Sequence, residues 1–135
     1  MTKIDYTKTV KVRGHKKPMS LRDSYADTGN MRAWWRVHYP HITKQQHFDF
    51  AKKAKAQLDK LEKEWMKIAD SEVMRIDNRH WFVYDYKVSG IGRYDFSEAA
   101  KDKLRAIIRE ETNLKVIIYA HLSMLPKADR LIITK

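Results

Sequence analysis

The sequence predicts an α+β domain: a mainly antiparallel sheet of four to five strands, packed on one face by a long central helix and a second helix, in the order β-α-α-β-β-α-β-β. Three observations carry this expectation. Residues 43–69 place Ala51, Ala54, Leu58, Leu61, Trp65 and Ile68 at alternating spacings of three and four, which lays one apolar stripe along a helix. After residue 70 the apolar positions alternate with period two, as on half-buried strands. With 135 residues, 43% of them hydrophobic, the chain suits one domain with its own core.

Taken in order, Thr7–Arg13 alternates, with Val10 and Val12 on one side and Thr9, Lys11 and Arg13 on the other. Gly14 and Pro18 end it, which gives residues 1–19 as a basic arm with a short edge strand and 20–135 as the single α+β domain. Ser20 caps a short helix from Leu21 that Gly29-Asn30 interrupts. A helical segment resumes from Met31 to Tyr39 and stops at Pro40. Adjacent helical residues differ by about 100°, so one of Trp34 and Trp35 is expected to be partly exposed. Thr43 is the N-cap of the long helix, with Gln46 in capping-box position.

Strands follow at Glu72–Asp77 and His80–Val88, joined by a tight turn at Asp77-Asn78-Arg79. Ser89–Arg93 is a glycine-containing loop. Asp95 then caps a helix to Thr112 with a buried stripe of Phe96, Ala100, Leu104, Ile107 and Ile108 and an outer row of Lys101, Arg105 and Arg109. Asn113 ends that helix. Leu114–Leu125 is the most apolar run and reads as a central strand, with Val116, Ile118, Ala120, Leu122 and Met124 on one side and Ile117, Tyr119 and His121 on the other. Pro126–Asp129 turns the chain, and Arg130–Lys135 returns as a hairpin partner.

Composition bounds the chemistry. The chain has no cysteine, which excludes disulfides, thiolate zinc sites and a cysteine nucleophile. No apolar run approaches the roughly 18 residues that span a bilayer, and the first 20 residues are basic rather than signal-like. The expectation is an intracellular protein, cytoplasmic or nucleoid-associated, with no membrane and no cofactor.

The net charge is +11. Residues 1–19 hold six basic groups against one acid, and residues 43–69 hold seven against four, so most of the excess lies in the arm and the long helix. Such asymmetry points to a polyanion. The first reading is a small nucleic-acid-binding protein without catalytic activity. Phosphate contacts come from Lys8, Lys11, Arg13, Lys16 and Lys17 and from Lys52, Lys53 and Lys60 of the long helix. Trp34 or Trp35, with Arg36, supplies a base-stacking surface. The second reading is a protein–protein interaction module, such as a virus- or plasmid-encoded inhibitor or an accessory subunit of a nucleoprotein assembly.

Two chemical constellations complete the inventory. His38, His41 and His47 cluster within ten residues, and imidazoles suit zinc, nickel or iron(II). Asp77 at a strand end, followed across a hairpin by Asp85-Tyr86-Lys87, resembles the active-site pattern of the PD-(D/E)xK nucleases. That resemblance implies a divalent metal held by Asp77 and Asp85, with Lys87 at the phosphate and Glu64 as a further acid, in a metal-dependent nuclease.

Overall fold

The computed structural model describes residues 3–14, 16–25, 27–76 and 96–134. Its elements are β1 (Thr9–Val10), β2 (Met19–Ser20), α1 (Thr28–His38), α2 (Lys44–Ile76), α3 (Glu98–Leu122) and α4 (Lys127–Thr134). The expected sheet of four to five strands is thereby overturned. Among the described residues there is one two-stranded sheet, and the remaining elements are helices.

β1 and β2 pair antiparallel, Thr9 opposite Ser20 and Val10 opposite Met19. The strand expected over Thr7–Arg13 shrinks to two residues of it. Gly14, between the strands, has φ +89°, a left-handed conformation that suits a residue without Cβ. No helix starts at Leu21. Ser20 and Asp23 instead close a turn on themselves, each side chain accepting the other's backbone N–H. α1 begins earlier than expected and takes in Gly29-Asn30. The Asp27 carboxylate accepts the Asn30 N–H at 3.1 Å, a cap that outweighs the helix-weakening glycine beside it.

The capping box of α2 forms as the sequence predicts: Thr43 Oγ1 accepts the Gln46 N–H at 3.1 Å and the Gln46 side chain accepts the Thr43 N–H at 2.9 Å. The helix does not stop at Ala69. It runs to Ile76, so the strand expected at Glu72–Asp77 is helical up to that residue. The second expected strand, His80–Val88, lies outside the described residues, as does the Asp95 cap. α3 opens on Ser97, whose Oγ accepts the Ala100 N–H at 3.2 Å. It then passes through Asn113 and takes up most of the expected central strand in one helix of 25 residues. The final hairpin partner is helical too, as α4.

The chain divides into two compact units, residues 1–57 with 113–135 and residues 58–112. In the first, Val10, Leu21, Met31, Trp34, Trp35, Ile42, Val116 and Ala120 form the core. In the second, Trp65 and Ala69 of α2 pack on Phe96, Leu104 and Ile107, with Leu61 and Ile68 alongside. The predicted stripes of α2 and of the first half of α3 are therefore buried, except that Leu61 and Ile68 are half-buried and Ile108 is exposed. In the second unit the two stripes bury against each other rather than against a sheet.

Both adjacent tryptophans are buried, Trp34 at 1% and Trp35 at 0% exposure, against the expectation that one would show. α1 is covered on two sides. Trp34 Nε1–H donates to the Lys8 carbonyl at 2.7 Å and Trp35 Nε1–H to the Ala120 carbonyl at 2.8 Å, so each indole finds its partner in a different neighbour.

Candidate anion-binding surface and a buried imidazole pair

The cations that the sequence singles out are on the surface. Lys8, Lys11, Arg13, Lys16, Lys17, Arg36, Lys52, Lys53 and Lys60 are all exposed, and none forms a salt bridge with a carboxylate among the described residues. Lys8 Nζ lies 5.4 Å from the centre of the Tyr39 ring, a cation–π contact. Ion pairs do form on α3 in the second unit, Lys101 with Glu98 and Arg105 with Asp102. Trp34 and Trp35, by contrast, cannot present a face to a base without unpacking the core.

Arg32 and Arg36 stand one turn apart on α1. Together with Lys44, the first residue of α2, they line a recess of about 350 Å³ over the turn Ser123–Pro126. Arg32 Nε–H donates to the Ser123 carbonyl at 2.7 Å. The carbonyls closing α3 are engaged as well: Tyr119 O accepts the Ser123 N–H, His121 O that of Met124, and Leu122 O that of Leu125. The helix end thus satisfies itself, and no carboxylate among the described residues lines the recess.

Behind this surface lies a buried polar chain. Tyr6 Oη is 2.7 Å from His121 Nε2, and His121 Nδ1 is 2.9 Å from His47 Nδ1. Phe50 stacks on the His121 ring, and Trp35 flanks both imidazoles. Burial pulls the His47 imidazole down to about 4, and burial together with the like charge of His47 pulls His121 down to about 3. Burial pushes the Tyr6 phenol up to about 12. Both imidazoles are therefore neutral near pH 7. Two proton orders then satisfy the chain from Tyr6 to His47, and in each the buried Nε2 of His47 has no partner. With His47 and His121 at 1% and 0% exposure, no substrate reaches this chain. It ties the N-terminal segment to the helices.

That arrangement also disposes of the expected histidine cluster. His47 faces His121, His38 Nε2 lies 2.7 Å from the Thr9 carbonyl, and His41 is exposed beside Tyr39. No group of three metal-ligating side chains is assembled among the described residues. Asp77, Asp85 and Lys87 lie outside the described residues. Glu64 is exposed on α2, where it lines a groove of the second unit with Lys67, Glu72 and Lys103.

Sequence reasoning missed the grouping of Arg32, Arg36 and Lys44, although the four-residue spacing of the arginines was visible. It also missed Tyr25 and Tyr119, half-exposed rings in edge-to-face contact at 5.2 Å. No described helix is long and apolar enough to cross a membrane. No family model, curated protein or solved structure matches the chain.

Proposed function

We propose that the chain binds nucleic acid as a polyanion and does no chemistry on it. The contacts are Lys8, Lys11, Arg13, Lys16 and Lys17 of the N-terminal segment with Lys52 and Lys53 of α2, all in the first unit; Lys60 belongs to the second unit and is not part of this set. One observation carries the reading: these cations are exposed and have no salt-bridging carboxylate among the described residues. Unneutralised like charges repel one another, and a phosphate backbone removes that repulsion while releasing its own counterions. With Trp34 and Trp35 buried, the reading rests on phosphate contacts and leaves out base stacking.

The test is a binding titration against single- and double-stranded nucleic acid over a range of salt. Log affinity is expected to fall linearly with log salt, by about 0.7 per phosphate contacted on single strands and about 0.9 on duplex. Absent binding, or binding indifferent to salt, refutes it. Exposed apolar side chains favour a second reading as a protein-interaction module: Val37 on α1 and Leu131 and Ile132 on α4 are each more than half exposed. A single partner recovered after nuclease treatment would favour that alternative.

A further inference from the structure

We propose that the recess over the turn after α3 is a seat for a phosphate monoester, presented by the end of a nucleic-acid strand. The choice of ligand rests on the nucleic-acid reading above; the seat itself rests on Arg32, Arg36 and Lys44.

Arg32 is pre-oriented. Its Nε–H is held by the Ser123 carbonyl at 2.7 Å, which fixes the plane of the guanidinium and leaves its terminal nitrogens without another hydrogen bond among the described residues. Arg36 brings a second guanidinium from the same face of α1, and Lys44 an ammonium from the start of α2. The α3 carbonyls that could have absorbed these donors are already paired within the turn. Guanidinium groups offer forked N–H donors that match phosphate oxygens.

Charge selects the kind of phosphate. Three basic residues line one recess. A monoester carries about 1.5 to 2 negative charges at pH 7, more than a diester inside a strand. The floor is apolar, formed by Met124, Leu125 and Pro126, so carbons of a terminal sugar have a surface to lie on. A volume of about 350 Å³ falls within the range of about 300–1,000 Å³ common for small-ligand sites.

The experiment compares short single strands of one sequence with a 5′-phosphate, a 3′-phosphate or hydroxyls at both ends, titrated against the whole chain at about 0.15 M salt. One phosphorylated end is expected to bind about tenfold more tightly than the hydroxyl strand, the scale of a charge-assisted hydrogen-bond pair. In the double variant Arg36→Gln, Lys44→Gln that ratio is expected to collapse toward one. Both side chains are exposed and make no hydrogen bond among the described residues, so the fold is kept. Reading the ratio cancels the general loss of charge. Equal affinity for all three strands overturns the seat. If no strand binds, the nucleic-acid reading fails by itself, and inorganic phosphate followed by NMR decides the seat. Saturable shifts at Arg32 and at the Ser123 and Met124 amides, which the double variant keeps, support it if they are lost in that variant; the absence of shifts in the unaltered chain overturns it.

Discussion

His121 shows what enclosure does to a side chain that elsewhere titrates near neutrality. It is surrounded by Tyr6, Trp35, His47 and Phe50, and a charge there has no water to stabilise it. The folded protein holds His47 and His121 at about 4 and about 3, below the ordinary 6.5. The unfolded chain therefore binds more protons as pH falls below 6.5, and the stability these groups contribute above that pH is progressively lost. Between pH 6.5 and 5, each imidazole removes about 2 kcal/mol of folding stability. Denaturant titrations at these two pH values check the size of the drop. Histidine NMR shifts must show both rings neutral at pH 5. A flat stability curve, or a ring that titrates near 6.5 in the folded state, contradicts this account. The partner of His47 was not legible, because His121 is 74 positions away and looked like a lone histidine on an apolar run.

At the scale of elements, α3 explains why the sheet was misread. From Leu114 to Ala120 the buried residues alternate with exposed or half-buried ones, as a strand's would. The same stretch also forms two adjacent helical rows, Leu114, Ile118 and His121 beside Val116 and Ala120. Lys115 and Tyr119 face out. A helix buried over such a wide arc satisfies both periods, and what separates them is length, since apolar runs of ten or more residues favour helix. No glycine or proline stands between Phe96 and Leu125, so nothing stops the helix. The capping box and stripe of α2 were legible because each depends on neighbours within one or two turns. Position 113 tests the continuity of α3. Inside a helix, Asn113→Ala is expected to raise stability by about 0.5 kcal/mol and Asn113→Gly to lower it by a few tenths. A left-handed cap at this position would reverse that order, with glycine the better residue. Chemical denaturation of the two variants distinguishes the cases.

For the molecule as a whole, charge was legible and its grouping was not. The excess of +11 follows from the residues alone, and the exposure of Lys11 and Arg13 from the alternation around Val10. The recess, however, brings Arg32 to Ser123 across 91 positions, a relation that no local pattern records. An uncompensated charge of this size works against compactness, and salt weakens that self-repulsion. The melting temperature is therefore expected to rise from low to physiological salt, when read by circular dichroism without nucleic acid. A fall over that range would mean that attractive ion pairs dominate.

The fastening of the N-terminal segment has a practical corollary. Asp5 N–H donates to Tyr39 Oη, Tyr6 bonds to His121, the Lys8 carbonyl receives the Trp34 indole, and the Thr9 carbonyl lies against His38. Cutting these residues away to test their positive charges would strip the lining from two tryptophans and open a sealed imidazole to solvent. A truncated chain that lost binding would say nothing of phosphates, so the charges have to be erased one at a time, in place, with the backbone left where it is.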